Sequence, residues 1–270
     1  MMKANDAWLQ TIGDVITNGE AVPPQKSTGS GGRLSFELLG HQLSFDMHYP
    51  LVTIKPTTSW LYMCAEPLWV IEGSNPLSWN SEIEHIQGPY SDDQIVLKGA
   101  YGPPFKQQIR YIIEKINEDR NTRQAVMTIW KRAPKPSKDI PCTVALQFIV
   151  RNDKLHCLVT MRSSDVGMGL PYDMFTFTCM TAEIASRLAE STDLGTCVIT
   201  AGSRHIYQDQ MHKLSHLYSN YVAKSADDYE PFEIWKWPAV KEAMYNIISM
   251  QYEDRSFAQS IARDRLMSAT

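Results

Sequence analysis

Three β-rich runs crowd the middle of the chain: Ala125 to Trp130, Thr143 to Val150 and Leu155 to Met161. Valine, isoleucine, threonine and phenylalanine dominate them, and the pair Asn152-Asp153 between the last two suits a tight hairpin turn. The three runs are therefore expected to pair as neighbouring strands. Directly downstream, Met174 to Ala189 has the length and apolar spacing of a largely buried helix, and Cys197 to Ala201 reads as a further strand. Strands that follow one another without a regular alternation with helices point to an α+β fold rather than a doubly wound sheet.

The remaining segments extend this picture. Leu34 to Leu43 and Leu51 to Ile54 are short apolar runs suited to strands, and Trp60 to Ile71 reads as a buried helix interrupted near Pro67. Between Pro104 and Arg120, Ile109, Ile112, Ile113 and Ile116 recur at helical spacing on one face, which predicts a surface helix ending near Asn121. The stretch AVPPQKSTGSGGR, Ala21 to Arg33, gathers turn residues and reads as a loop whose free N–H groups suit an anion. More helix is expected after Pro231. At 270 residues and 43% hydrophobic content the chain can bury a sizeable core, as one domain with insertions or two modest ones.

Charge and cysteine usage narrow the function. A formal charge of -4 gives no whole-chain attraction for a nucleic acid polymer. The five cysteines are odd in number and carry no paired CxxC spacing, so no metal site is expected and free thiols in a reducing compartment are. No apolar run approaches the roughly 20 residues of a membrane span, and the N-terminal segment lacks a signal-like apolar stretch. The expected location is the cytoplasm.

Candidate chemistry gathers in a few short motifs. Cys142 follows a proline in DIPCTVALQF at the start of a strand, where a thiol at a sheet rim with arginines nearby is a candidate nucleophile; an isolated cysteine also reads as a small buried hydrophobe. Arg162 and Ser163, in MRSSD after a strand, offer a guanidinium fork and a hydroxyl to a phosphate dianion, or simply a solvated strand end. Arg123 before AVMTIW is a second anion candidate or a surface ion pair. His205 and Tyr207, two apart on a strand in GSRHIY, share one face and could meet sugar hydroxyls. Glu66, inside the apolar run LYMCAEPLWVIEG, is expensive to bury unless hydrogen-bonded or functional, and burial would raise its pKa toward neutrality.

Taken in order, PCTVALQF at Cys142, MRSSDVGMGLPYD from Met161 to Asp173 and GSRHIY from Gly202 to Tyr207 resemble the thymidylate synthase superfamily. LLGHQLSF, PLVTIK, EPLWVIEG, AYGPPF and TRQAV resemble family segments in the expected sequence upstream, so about three quarters of the chain is covered. The resemblance implies a single catalytic domain over 1–270, a mixed sheet flanked by helices, and a homodimer built from facing sheets. It implies that Cys142 adds to carbon 6 of a pyrimidine nucleoside monophosphate and that carbon 5 then attacks the one-carbon unit of 5,10-methylenetetrahydrofolate. Glu66 would relay protons at the base and Tyr101 would help remove the carbon 5 proton. Arg123, Arg162 and Ser163 would bind phosphate, with Arg123 lent by the second subunit. His205 and Tyr207 would hold the 3′-hydroxyl, while Asp165 and Trp69 would contact the folate. The phosphate-loop arginine of the family aligns with either Arg33 or Lys26.

Departures from the family pattern carry information. Synthases end the GLPY/F motif in asparagine, whose amide both donates and accepts and so pairs with uracil; this chain has Asp173. An ionised carboxylate only accepts, repelling uracil's carbonyl and welcoming cytosine's exocyclic amine, whereas a protonated carboxyl or an intervening water would admit uracil too. In that position the chain resembles the deoxycytidylate hydroxymethylases. The segment before Tyr101 lacks the family's tryptophans, although Trp79 and Tyr90 are nearby, and ARDRLMSAT does not resemble the apolar tail that closes a synthase site. Both features favour addition of water to the transferred carbon. The expected activity is hydroxymethylation of dCMP without a metal; the alternatives are methylation of dCMP or dUMP, hydroxymethylation of dUMP, and an inactive nucleotide-binding scaffold.

Overall fold

The computed structural model describes residues 1–24, 32–221, 229–250 and 254–270. In chain order these form α1 (Ala4–Asn18), β1 (Glu20–Val22), β2 (Ser35–Asp46), α2 (Trp60–Ile71), α3 (Ser81–Gln87), α4 (Gly102–Glu118), β3 (Val126–Thr128), β4 (Thr143–Arg151), β5 (Lys154–Asp165), α5 (Leu170–Ala185), β6 (Asp193–Tyr207), α6 (Gln208–Tyr221), α7 (Trp237–Ser249) and α8 (Arg255–Ala269). The strands make one six-stranded mixed sheet in the order β1-β2-β6-β5-β4-β3, parallel only between β5 and β6.

The expected neighbours β3, β4 and β5 do pair, and the β4–β5 hairpin turns at Asn152 and Asp153 with φ of 52° and 57°. Two consecutive positive φ values match a turn whose twist follows that of the strands, and Asn and Asp tolerate them best after glycine. The pleat sorts the sheet into two faces. The row Met127, Leu146, Val159, Ile199 and Leu43 is buried beneath the helices. The next row, Val126, Gln147, Leu158, Val198 and Ser44, faces away from them, with Val126 and Leu158 exposed.

Several boundaries differ from the sequence expectations for identifiable reasons. Leu51 to Ile54 is a buried connection, not a strand, because side chains rather than a ladder take up its backbone groups: Leu51 N–H donates to the Tyr229 hydroxyl and Thr53 N–H to Asn5 Oδ1. The helix α2 runs straight through Pro67, and every residue in it except Glu66 is buried. Packing on α5 and α7 on opposite sides outweighs the one hydrogen bond that proline removes. The helix α5 starts four residues before the expected Met174 and ends at Ala185, since Pro171 suits a first helical turn. Most consequential for the site, β5 continues past the expected Met161 through Asp165 and β6 past the expected Ala201 through Tyr207, so MRSSD forms a strand end and GSRHIY lies on a strand, as its alternation suggested.

The helix α8 caps α2. Gln259 Oε1 accepts from the N–H groups of Trp60 and Leu61 at 2.6 and 3.1 Å, satisfying donors that the first turn of α2 leaves open. Ser59, the N-cap of α2, accepts from Tyr62 N–H, and its own N–H donates to the Tyr172 hydroxyl of α5 at 2.8 Å. These contacts fix the helix that carries Glu66 against the helix that carries Asp173. No helix among the described residues is long and apolar enough to cross a membrane.

Candidate active site

The strand ends of β4, β5 and β6 open beside the first turns of α5 and the middle of α2, leaving a cleft of about 380 Å³. Of the residues singled out from the sequence, all the described ones line it except Arg123 and Trp79. Arg123 stands exposed before β3, outside the cleft of its own chain, and Lys26 lies outside the described residues.

Cys142 is half-buried immediately before β4. Its carbonyl accepts from Arg162 N–H at 2.8 Å, which continues the β4–β5 ladder by one residue and seats the thiol beside the Arg162 side chain. The guanidinium is pinned to the same loop, Nε to Pro141 O at 3.0 Å and Nη2 to Ile140 O at 2.8 Å, with Nη2 3.8 Å from Cys142 Sγ. Burial pushes the thiol above its usual pKa, while the guanidinium pulls it down; burial wins. The arginine therefore favours the thiolate, as expected of a nearby arginine, but only offsets part of the effect of burial.

Glu66 lines the same cleft as Cys142. Its Oε1 accepts from the Tyr62 hydroxyl at 2.5 Å and its Oε2 from Thr176 Oγ1 at 3.0 Å. Burial raises its pKa and these two donors oppose the rise. Tyr101, just before α4, accepts from Thr143 N–H at 3.3 Å, and burial with the nearby Asp173 and Cys142 holds its hydroxyl protonated.

Asp173 sits in the first turn of α5 and takes no side-chain hydrogen bond from the described residues. Burial, reinforced by Glu66 and Asp165, pushes its carboxyl well above the usual range against the pull of Arg204. Burial thus favours the protonated carboxyl, which can donate one hydrogen bond and accept another, beside the acceptor-only carboxylate expected from the sequence.

The polar end of the cleft is built on β5 and β6. Ser163 and Ser203 are register neighbours, and Ser203 donates to Glu37 of β2. His205 is 8% exposed, its Nδ1 is buried without a partner among the described residues, and burial lowers its pKa against the attraction of Asp165, which favours a neutral ring with an open polar atom. It packs edge-on to Tyr207 with centroids 5.0 Å apart, and the Arg33 guanidinium stacks over Tyr207 at 3.8 Å while contacting Asp209 at 3.4 Å. At the other end, Trp69 is 3% exposed and donates through Nε1 to Pro76 O at 3.2 Å, and Tyr90 stands at the mouth. Asp165 turns its Oδ1 to the N–H groups of Gly167 and Met168 at 2.8 and 3.1 Å, bracing the turn into α5. Trp79 instead donates to Glu72 at 2.6 Å and lies outside the cleft lining.

A few site residues escaped the sequence. Tyr62 and Glu66 are four apart on one helix, a spacing that signals contact. Arg204 is wholly buried, with Nη1 donating to Ser164 Oγ at 2.7 Å and Nη2 to Ile199 O at 3.1 Å; nothing in its local pattern separates it from an exposed strand arginine. Lys55, whose pKa falls to about 8 through burial against the attraction of Asp165, lies beneath the Asp165 turn at 3.4 Å from Met168 O. Among the described residues no cluster of three or more His, Cys, Asp or Glu could hold a metal ion.

The family model described as thymidylate synthase matches residues 6–234, most of the chain and all of the cleft-lining strands. The chain belongs to the thymidylate synthase family. A thymidylate synthase of Francisella philomiragia subsp. philomiragia is 25% identical over 258 residues, covering 85% of this chain and 87% of that protein. The six-stranded mixed sheet flanked by helices is the thymidylate synthase-like architecture, and the family's chemistry is a folate-dependent transfer of one carbon to carbon 5 of a pyrimidine nucleotide, with methylenetetrahydrofolate as donor.

Proposed function

We propose that this protein transfers a one-carbon unit to carbon 5 of dCMP and completes the reaction with water, giving 5-hydroxymethyl-dCMP. Asp173 carries the reading. Its carboxyl lies in the cleft without a side-chain hydrogen bond from the described residues, and burial favours its protonated form. Cytosine offers a ring nitrogen acceptor beside an exocyclic amine donor, which a protonated carboxyl meets with one donated and one accepted hydrogen bond. The cytosine ring nitrogen has a lone pair to accept the carboxyl's hydrogen bond, whereas the corresponding uracil nitrogen already carries a hydrogen; when the carboxyl ionises it still meets cytosine's amine but repels uracil's carbonyl. Asparagine, which has no proton to give up, offers only neutral hydrogen bonds.

The other side chains take roles that follow from their chemistry. Cys142 Sγ forms a bond to carbon 6, the electron pair of the 5,6 double bond moving to carbon 5. The nearby Arg162 guanidinium favours the thiolate at that moment, and the carboxyl's hydrogen bond to the ring nitrogen draws electron density from the ring and lowers the barrier. Methylenetetrahydrofolate supplies, when bound, a carbon at the oxidation level of formaldehyde; Trp69 and Tyr90 offer flat faces suited to its ring. Tyr101 takes part in removing the carbon 5 proton, and Glu66 exchanges protons at the base through water. Carbon 5 bonds to the one-carbon unit, and as the carbon 5 proton is lost the bond from that unit to the folate nitrogen breaks, the nitrogen keeping the electron pair and leaving an exocyclic methylene on the ring. Water gives its hydroxyl to that carbon and its proton to the base, and the Cys142 bond breaks to restore the 5,6 double bond. No net reduction occurs in that ending. Support for water entry comes from Trp79, turned to Glu72 and away from the cleft, and from the polar Gln87 and Lys138 at the lining.

The phosphate would meet Ser163, Arg33 and the free edge of Arg162, and His205 with Tyr207 the 3′-hydroxyl. The exposed Arg123 and the apolar outer row of the sheet, Val126 and Leu158, support a homodimer through facing sheets in which Arg123 serves the partner's site. The cytoplasm, where nucleotide pools and reduced thiols coexist, is the proposed location.

Release of tritium from carbon 5 of labelled dCMP and dUMP tests the choice of base, and absorbance of dihydrofolate tests the ending. Exchange from dCMP with no dihydrofolate is expected. Exchange from dUMP alone, or dihydrofolate produced in step with turnover, would overturn the proposal.

A further inference from the structure

Glu66 is held by a hydrogen-bond chain that extends to the wall of the cleft. Tyr62, 2% exposed and one helical turn earlier on α2, donates its hydroxyl proton to Glu66 Oε1 at 2.5 Å. Gln87, the last residue of α3 and part of the cleft lining, donates through Nε2 to the Tyr62 oxygen in a still closer contact. Thr176 of α5 holds the other carboxylate oxygen at 3.0 Å. The Tyr62 ring is locked edge-on against Tyr172, centroids 5.0 Å apart, so its hydroxyl has little freedom except rotation of the proton.

A phenol has one proton to give, and this fixes the polarity of the chain. While the Gln87 amide N–H donates to the Tyr62 oxygen, the Tyr62 proton must point to Glu66, which suits a carboxylate. Once Glu66 takes a proton from neighbouring water or base, its own O–H becomes the donor to Tyr62, and the Tyr62 proton must turn the other way. Glutamine alone meets both cases, because rotating its amide by half a turn exchanges N–H for C=O at the same place. We propose that Tyr62 and Gln87 are positioning residues that let Glu66 alternate between carboxylate and carboxylic acid without losing a hydrogen bond, which makes the α3 wall of the cleft part of the proton machinery.

Tyr62 does not ionise in this cycle. Burial, followed by the charge of Glu66, pushes its hydroxyl well above the usual range, so it hands on orientation while keeping its proton. The titratable groups that face Glu66 are Tyr62 on α2, Tyr172 and Asp173 on α5 and Tyr101 ahead of α4, all held toward their protonated forms. Against burial, the hydrogen bonds from Tyr62 and Thr176 keep the Glu66 pKa from rising further. Deleting the Tyr62 hydroxyl leaves a buried carboxylate short of a donor, so the acid limb governed by Glu66 should move to higher pH.

This inference rests on the reading of Glu66 as the group that exchanges protons at the base, and the test separates the two. Tyr62→Phe, Gln87→Met and Glu66→Gln are compared with wild type in tritium release from carbon 5, using whichever of labelled dCMP and dUMP exchanges, from pH 5 to 9. For Tyr62→Phe the acid limb should rise by about one pH unit, with exchange at pH 6 down about tenfold and nucleotide KM changed less than about twofold. Gln87→Met should shift the limb the same way by less, and it carries the test if Tyr62→Phe does not melt as a folded protein. An unmoved limb in a folded variant, or a change confined to KM, overturns the inference. If Glu66→Gln retains wild-type exchange, the role of Glu66 itself falls and this inference with it; if Glu66→Gln abolishes exchange while the limb stays put in Tyr62→Phe, only the present inference falls.

Discussion

Arg162 Nη2 lies 3.8 Å from Cys142 Sγ while the same guanidinium binds the carbonyl oxygens of Ile140 and Pro141, so one arginine both shapes the loop before β4 and tunes the thiol that ends it. The pKa of Cys142 is a contest between burial, which raises it, and this guanidinium, which lowers it. Arg162→Met removes the second influence, so the thiol should ionise at higher pH and react about tenfold more slowly with iodoacetamide at pH 8. Arg162→Lys should fall between the two, since an ammonium supplies charge without the planar fork that grips both carbonyls. Alkylation followed by mass spectrometry across pH checks this, and a faster-reacting Arg162→Met would show that the loop, not the charge, controls the thiol.

Cys142→Ser should abolish turnover by about 1,000-fold or more while leaving nucleotide binding within about threefold. A serine hydroxyl in this half-buried position has no general base hydrogen-bonded to it among the described residues, whereas the proposed phosphate and sugar contacts come from other residues and are untouched. Calorimetric titration with dCMP beside a tritium-release assay separates the two effects. Substantial residual turnover would assign the nucleophile elsewhere.

Asp173→Asn should move base preference toward dUMP by about 10- to 100-fold in kcat/KM, the discrimination expected of one paired hydrogen-bonding group. The amide cannot ionise to repel uracil's carbonyl, and it matches uracil with one donor and one acceptor. Competition between labelled dCMP and dUMP in one vessel measures the ratio directly. An unchanged ratio would mean that the carboxyl is bridged to the base by water or does not contact it.

The legibility of this site in the sequence follows the range of the interactions involved. The β4–β5 hairpin announced itself because Asn152-Asp153 is a local backbone signal, and Cys142, Arg162 and His205 stood in motifs whose strand context survives folding. Longer-range effects were hidden. Pro67 argued for a break in α2 that burial on several sides overrides, and Leu51 to Ile54 looked like a strand because a short apolar run does not reveal that Asn5 and Tyr229 take its N–H groups. Asp173 shows the limit most clearly. Its identity was visible, but its protonation depends on Glu66, Asp165 and Arg204, three residues from separate elements whose convergence only the fold defines.

Away from the cleft, His48 joins the end of β2 to the start of β6, its Nδ1 2.7 Å from Asp46 and its Nε2 3.0 Å from Asp193. Hydrogen bonding to Asp46 raises the His48 pKa above its ordinary 6.5, against burial and with help from Asp193; burial would raise the Asp46 carboxyl, but His48 outweighs it and holds it below 3.8. A histidine whose pKa is higher folded than unfolded contributes stability in full below the unfolded value, and loses it as pH rises through the folded value. The carboxylate contributes above its unfolded value and loses that contribution as pH falls through its folded one. Both contributions are therefore present between about pH 4 and 6.5. His48→Gln, which keeps hydrogen-bonding capacity but no charge, should lower stability there by about 1 kcal/mol, roughly 2–4 °C in melting temperature for a chain of this size. The gap should narrow steadily toward pH 9, as wild-type His48 becomes neutral. Melting curves of the two proteins from pH 5 to 9 decide the point, and a gap that widens with pH would mean that the ring is held neutral between its two carboxylates.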